Sequence, residues 1–222
     1  MSAPVLLLAS ASPARLATLR SAGLDPQVAV SDVDEPAVLA RAAAAAEAAG
    51  SGPVPAADQV LLLARAKAED VRGRAPTVDG TAPTVTVGCD SMLEMTAADG
   101  ERAVVGKPAD VAEATARWRS MRGRSGILHT GHWLIRADGA TAAATSSTTV
   151  HFADVTDGEI EAYVATGEPL RVAGAFTVDG LGGPFVRGIE GDHHGVVGLS
   201  LPLLRELLGD LGLAITDFWR ER

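Results

Sequence analysis

Apolar and polar positions along the chain follow two periods, one typical of strands and one of helices. The apolar run Val5–Ala9 predicts a buried strand, and Leu16 and Leu19 lie on one face of a predicted helix that ends near Ala22. Further strands are predicted at Gln27–Val30, Thr84–Val87, Met92–Met95, Arg102–Val105, Ile127–Ala137 and Thr141–Phe152. Further helices are predicted at Pro36–Ala49, Gln59–Val71, Glu113–Met121, Thr156 to about Ala165, and Leu201–Leu211. Because strands and helices interleave, the pattern favours an α/β or mixed α+β fold.

The first predicted strand leads into a helix whose start and end are both marked by residues typical of those positions. Ser12 is a good N-cap, Pro13 fits the first helical position, and Gly23 follows the last turn. The segment Ser10–Arg15 therefore lies where free backbone N–H groups favour an anion.

Two other segments give weaker signals. Ala98–Gly100 separates two short predicted strands and predicts a hairpin turn. The glycine-rich stretch Gly174–Gly198 predicts little regular structure. Asp90 is expected at the end of a strand, in Gly88-Cys-Asp90, and Glu35 in an acidic segment at another strand end.

Composition narrows the class of protein. The 222 residues are 47% hydrophobic but only 4% aromatic, which predicts a core of Leu, Val and Ala, in one domain or two tightly packed lobes. The net charge of −9 disfavours binding to nucleic acid polymers or anionic membranes. Cys89 is the single cysteine, and the N-terminus lacks the basic region of a signal peptide. We expect a soluble, cytoplasmic protein.

Several short sequences look like known ligand-binding motifs but lack residues that those motifs require. Gly106-Lys-Pro108 lacks the upstream glycine and the hydroxyl residue of a phosphate-binding P-loop. Gly180-Leu-Gly-Gly183 lacks the third glycine of a dinucleotide fingerprint, because Phe185 occupies that position. The histidines, among them His129 and His132, lack helix-spaced partners for zinc and favour strand or surface roles.

Charged residues at the ends of predicted elements are the remaining candidates for chemistry. They are Arg15, Glu35, Lys67, Asp90 and Lys107. Each has an ordinary structural explanation: a solvated helix face for Lys67, a turn for Asp90, the neighbourhood of a cap for Glu35. Together they supply two carboxylates for a divalent ion and three cations for phosphates. These are the groups that metal-assisted phosphoryl transfer needs.

The order and spacing of ten short motifs resemble those of Maf proteins, from about Val5 to Leu208. The motifs are Ser10–Arg15, Val33–Glu35, Ala66–Ala68, Gly88–Ser91, Gly106–Pro108, Thr130-Gly131, Gly167–Pro169, Ala173–Phe176, Gly180–Gly183 and Val197–Leu201. The resemblance implies a single Maf-like domain over residues 1–222, with a long mixed sheet, flanking helices and two lobes around a deep cleft. It also implies a homodimer and hydrolysis of a nucleoside triphosphate to the monophosphate and pyrophosphate with Mg²⁺ or Mn²⁺.

The resemblance also implies roles for individual residues. Asp90 matches the family's proton acceptor, and Glu35 matches an acid that can hold the metal, a duty that Asp90 can share. Arg15, Lys67 and Lys107 match basic positions that offset phosphate charge. Ser10, Ser12 and Ser91 are assigned to substrate binding on the same basis. Cys89, which has no apparent base partner, is expected to be a small buried residue and not a nucleophile.

Three departures from the family pattern concern the substrate. Ala14 stands where the family has the first of two arginines, and Asp179 stands where one branch has glutamine before glycine. That branch also reads Asp-Lys-Ala-Gly where this chain has Arg171-Val172-Ala173-Gly174, so its lysine is lost here. An acidic residue is closer to the branch that takes 7-methylguanosine, cytidine and uridine triphosphates. We expect a modified or non-thymine nucleotide as substrate, with the alternative that Asp179 is only a turn residue before Gly180.

Two other functions compete with the pyrophosphatase. Maf proteins were named for an effect on septum formation, so a non-catalytic, nucleotide-binding regulator of cell division is the main alternative. A phosphomonoesterase with a covalent aspartate would need a second aspartate two positions after Asp90, where this chain has Met92.

Overall fold

The computed structural model describes residues 4–74, 82–96, 100 and 102–219. The strands are β1 Leu6–Ala9, β2 Gln27–Val28, β3 Val85–Thr96, β4 Arg102–Val105, β5 Ser125–Arg136, β6 Thr141–Phe152 and β7 Val186–Glu190. The helices are α1 Pro13–Ser21, α2 Glu35–Ala49, α3 Ala56–Gly73, α4 Val111–Met121, α5 Asp157–Ala165, α6 His193–Val197 and α7 Leu201–Asp210. Short 3₁₀ turns lie at Pro169–Arg171, Ala173–Ala175, Gly183–Phe185 and Ile215–Phe218.

The strands form a mixed sheet in the order β2-β1-β3-β5-β6-β7, with β4 paired to β3. Strand β1 pairs in parallel with β2 and β3, whereas the β3–β4 and β6–β7 pairs are antiparallel. The predicted mixed α/β fold, with a long sheet and helices, is therefore confirmed. Of the predicted hairpin turn Ala98–Gly100, only Gly100 lies within the described residues.

The chain divides into two compact units. The first consists of Met1–Asp90, Thr130–Ser146 and Gly198–Arg222, and the second of Ser91–His129 and Ser147–Val197. Three of the four boundaries fall inside β3, β5 and β6, so each of these strands contributes residues to both units, and the fourth follows α6. Neither unit is a continuous stretch of sequence.

Each unit has its own core. In the first, aliphatic residues of β1 and β3, such as Leu8 and Val87, pack with leucines of α7, such as Leu204. In the second, Trp118 of α4 is fully buried, with its ring edge-to-face to Phe152 at 5.8 Å. The aliphatic core predicted from the composition therefore describes the first unit, whose core contains one aromatic residue, Phe218, while the core of the second unit is rich in aromatic residues.

The structure differs from the sequence-based expectations in three segments. Asp90 does not end a strand, because β3 runs without a break from Val85 to Thr96. Glu35 does not lie at a strand end: Asp34 caps α2 by accepting the Ala37 N–H at 2.9 Å, and Glu35 begins the helix. The stretch Gly174–Gly198 holds a strand and a short helix, β7 and α6.

No helix in the described parts of the chain is long and apolar enough to cross a bilayer.

Candidate active site

The turn between β1 and α1 forms as its sequence predicts. The Ser12 hydroxyl accepts the Arg15 N–H at 3.4 Å and caps α1, and Pro13 occupies the first turn. Gly23 follows the helix with a φ of +85°, a conformation that glycine adopts without strain. Since β1 pairs in register with β3, placing Ala9 opposite Gly88, this turn lies beside the centre of β3.

The Arg15 side chain is buried at this turn and makes several hydrogen bonds. Its guanidinium donates to the Gly198 carbonyl at 2.7 Å, to the Cys89 carbonyl at 2.9 Å and to the Ser10 hydroxyl at 3.0 Å. The predicted cradle residues Ser10, Ser12 and Arg15 thus come together. The Gly198 carbonyl, which fixes the guanidinium from the far end of the sequence, was not anticipated, because nothing in a linear sequence pairs positions that far apart.

Helix α3 approaches β3 at a glycine. A Cβ at Gly88 would collide with the Ala64 carbonyl and lie 2.9 Å from the Ala68 nitrogen. Because Gly88 has no side chain, the buried face of α3, which includes Lys67, lies directly against the strand. Lys67 therefore reaches Asp90, two residues further along β3 on the same face.

Lys67 joins two carboxylates. Its Nζ lies 2.5 Å from Asp90 Oδ1 and 2.7 Å from Glu35 Oε1. The side chains of Lys67 and Asp90 are each 11% exposed, while that of Glu35 is 48% exposed. Three predicted site residues from α2, α3 and β3 thus converge, with Glu35 on the solvent side.

Burial dominates the electrostatics of this cluster. It raises the pKa of Asp90 above its ordinary value, although the charges of Lys67 and Arg15 act in the opposite direction. Burial likewise raises the pKa of the Cys89 thiol to about 11, so the thiol is protonated at neutral pH. The prediction that Cys89 is a small buried residue is confirmed, and a carboxylate of raised pKa is a stronger base.

The donor set suits a hard divalent cation. Carboxylate oxygens are ligands that Mg²⁺ and Mn²⁺ prefer, and those of Glu35 and Asp90 already converge on one cation, the Lys67 ammonium. No cluster of three or more His, Cys, Asp or Glu side chains with metal-ligand placement occurs in the described residues. Mg²⁺ commonly takes one or two carboxylates and completes its shell with water and substrate phosphates. The pair fits such an ion.

The other predicted site residues belong to the second unit. Ser91 directly follows Asp90 in β3, Lys107 lies just after β4, and Asp179 lies in the loop after the 3₁₀ turn Ala173–Ala175. Lys107 and Asp179 are exposed, and neither makes an ion pair or hydrogen bond with a described residue.

Comparison with known proteins places the chain in a family. The model of Maf-like proteins matches residues 5–211. The fold and the site define a mixed α/β protein with a buried lysine in contact with two carboxylates. The chain belongs to the Maf-like family.

Curated relatives resemble it over almost its whole length. A protein of Streptomyces coelicolor named nucleoside triphosphate pyrophosphatase is 54% identical over 215 residues, covering 96% of this chain and 94% of that protein. One of the same name from Salinispora tropica is 55% identical, covering 96% and 87%. The crystal structure of a dITP/XTP pyrophosphatase from Mycobacterium abscessus covers 93% of both chains at 14% identity, with a TM-score of 0.35. That last likeness is too slight to bear on function.

Proposed function

We propose that the protein hydrolyses a nucleoside triphosphate between its α- and β-phosphates, releasing the monophosphate and pyrophosphate with the help of a divalent cation. The observation that carries the proposal is the contact of the buried Lys67 ammonium with the buried carboxylate of Asp90 and the more exposed one of Glu35. The names of the curated relatives support the same reaction class.

Asp90 is the base in this proposal. Its carboxylate takes a proton from a water molecule, whose oxygen attacks the α-phosphorus in line with the departing pyrophosphate. The P–O bond to the bridging oxygen breaks, and pyrophosphate leaves with the bonding electrons. A carboxylate whose pKa is raised by burial holds the transferred proton better than an exposed one.

The cations stabilise the charge that accumulates on the phosphate oxygens. Lys67 and Arg15 are fixed in place by Asp90 and by the Ser10 hydroxyl, so they need little rearrangement during the reaction. Lys107, whose side chain is exposed, is assigned as the third cation because it matches a basic position of the family. A bound metal, held by Glu35 and Asp90, would add further positive charge beside the α-phosphate.

Product analysis tests the reaction class. The protein is incubated with a panel of nucleoside triphosphates and Mg²⁺ or Mn²⁺, and the products are separated by anion-exchange chromatography. We expect monophosphate and pyrophosphate, and no turnover once the metal is chelated. Diphosphate plus orthophosphate would contradict cleavage between the α- and β-phosphates. Binding without any turnover would favour the regulator.

A further inference from the structure

A cavity opens in the second unit where β5 begins, β6 ends and β7 begins, and its volume is about 200 Å³. Its lining includes Arg124, Ser125, His151, Arg187 and Gly188. All five residues belong to the second unit, and none of them takes part in the candidate active site. Among the described residues, no carboxylate lines the cavity.

A β-bulge in β7 shapes one side of this cavity. His151 of β6 pairs with Gly188, but the next residue, Phe152, pairs with Val186. Arg187 is therefore an extra residue with no partner on β6, and a bulge of this kind redirects the side chain that it carries. A Cβ at Gly188 would meet no atom within 4 Å, so the space in front of this glycine is open.

A chain of hydrogen bonds fixes His151 in the cavity wall. Its Nε2 lies 3.1 Å from Glu190 Oε1, and its Nδ1 lies 2.7 Å from the Ser125 hydroxyl oxygen. An ionised carboxylate only accepts hydrogen bonds, so a neutral His151 donates from Nε2 and accepts the Ser125 proton at Nδ1. The Glu190 side chain is 76% exposed, so its charge is screened by water and salt. Because these groups bind one another, the donors left for a ligand are those of the two arginines.

Arg124 and Arg187 bring two positive charges to the cavity, and neither forms an ion pair with a described residue. One Arg124 nitrogen donates to the Ser120 carbonyl at 3.0 Å, which leaves its other N–H groups for a ligand. Arg122, close by in the sequence, is instead paired with Asp157 at 2.6 Å. Two like charges in one small cavity repel each other, and a bound anion would remove that repulsion.

We propose that this cavity binds a small phosphate anion, orthophosphate or pyrophosphate, through the guanidinium groups of Arg124 and Arg187. A guanidinium presents its N–H groups in a planar fork that matches the oxygens of a phosphate, and such charge-assisted hydrogen bonds are strong. The cavity is smaller than the roughly 300–1,000 Å³ of sites that enclose larger organic ligands, so it suits an inorganic anion and not a whole nucleotide. The site requires no catalysis and goes beyond the proposed function.

Anion titrations followed by NMR test the proposal. Sodium phosphate and sodium pyrophosphate are added in separate experiments at constant pH and ionic strength, with a chelator and without nucleotide. The Gly188 amide and the His151 ring report the cavity, while the amides of Ser10 and Arg15 report the candidate active site. We expect shifts at Gly188 and His151 that saturate with at least one anion, and the lower Kd identifies which of the two the cavity prefers.

Two variants and a control connect these shifts to the arginines. Arg187→Gln and Arg124→Gln should each raise the Kd at the cavity by roughly tenfold or more, the equivalent of one hydrogen bond to a charged group. Arg187 is exposed and unpaired among the described residues, so its replacement should leave the fold intact. Arg41→Gln removes an exposed cation of α2 that likewise pairs with no described residue, and it should not change this Kd.

Three results would overturn the proposal. One is the absence of saturable shifts at Gly188 and His151 in the wild-type protein with either anion. Another is an equal rise in Kd for all three variants, which would reduce the effect to net charge. The last is a set of shifts confined to Ser10 and Arg15, which would place the anion in the candidate active site alone. Because no nucleotide is present, failure of the protein to release pyrophosphate in the earlier test would leave these outcomes unaffected.

Discussion

The backbone of Gly88 in β3 lies against the carbonyl of Ala64 in α3 with no room for a Cβ between them. The contact sets the distance between strand and helix, and this distance decides whether the Lys67 ammonium can reach Asp90. A second glycine makes a similar contact nearer the start of the helix, where a Cβ at Gly131 in β5 would lie 2.5 Å from the Val60 carbonyl. Two glycines on neighbouring strands therefore seat α3 on the sheet.

Substituting Gly88 tests this seating. Gly88→Ala should lower the free energy of unfolding by about 1–3 kcal/mol, the usual effect of overpacking, and reduce turnover by moving Lys67 away from Asp90. Chemical denaturation and kcat measure the two effects. Gly73→Ala, near the end of the same helix, is the control, because a Cβ there meets no atom within 4 Å. Equal stabilities for the two variants would refute the argument.

Asp90→Asn tests the base. The amide keeps the size of the side chain but cannot take the proton, so kcat should fall by roughly 10²–10⁴. Glu35 remains as a partner for Lys67, so the thermal midpoint should shift little. Rates are followed by pyrophosphate release and stability by calorimetry. A variant with nearly wild-type kcat would exclude Asp90 as the base.

Lys107→Met tests the third cation. Removal of one group that stabilises transition-state charge should lower kcat/KM by roughly 10²-fold. Stability should be unaffected, because Lys107 is exposed and makes no ion pair with a described residue. Arg41→Met, which removes an exposed cation from α2, is the control and should leave kcat/KM unchanged. An equal loss in both variants would indicate only a change in net charge.

Asp179→Gln tests recognition of the base by the exposed carboxylate. An ionised carboxylate offers acceptors only, which suits the amino groups of cytosine or guanine, whereas a glutamine amide both donates and accepts. A cationic 7-methylguanine would also gain charge attraction. We predict that the wild-type protein prefers bases with an amino group, and that Asp179→Gln shifts kcat/KM towards thymine and uracil. If the ratios of kcat/KM among four or five triphosphates are unchanged, Asp179 does not recognise the base and is only a turn residue.

Glu168 gives the loop of residues 177–182 a pH dependence, because its carboxylate accepts the Leu181 and Gly182 N–H groups, each at 3.2 Å, and so anchors the loop. Its folded-state pKa lies below the ordinary value of 4.5, so its anchoring contributes fully above that value and is lost as the pH falls through the folded-state pKa. Tyr163, with a pKa of about 12, does not titrate in this range. The amide resonances of Leu181 and Gly182 should therefore shift in NMR spectra below about pH 4.5. In Glu168→Gln this transition should be absent.

The sequence predicted the elements that local chemistry determines. Ser12, Pro13 and Gly23 mark both ends of α1, and the structure has the helix there. Asp34 could have revealed the start of α2 in the same way, since it caps the helix that begins at Glu35. The acidic segment around Asp34 was interpreted as a strand end, so the helix cap was not recognised.

Other features could not be predicted from the sequence, because they depend on contacts between residues that are distant along the chain. Gly88 resembled a strand end, yet β3 continues through it because α3 fills the space that a side chain would occupy. Strand β7 was missed because its sequence is short and contains Gly188, while its partner β6 supplies the pairing. Glu168 lay within a motif typical of the family, but only the folded loop shows what its carboxylate binds.

The first core has a consequence for synthesis of the protein. It joins Leu6 and Leu8 of β1 to Leu204 and Leu208 of α7, so β1 packs against a helix that is synthesised after both segments of the second unit. Until α7 emerges, the apolar face of β1 lacks its partner and is open to aggregation or to capture by a chaperone. A ribosome that stalls before Leu201 would leave a nascent chain whose second unit has all its segments but whose first unit cannot close.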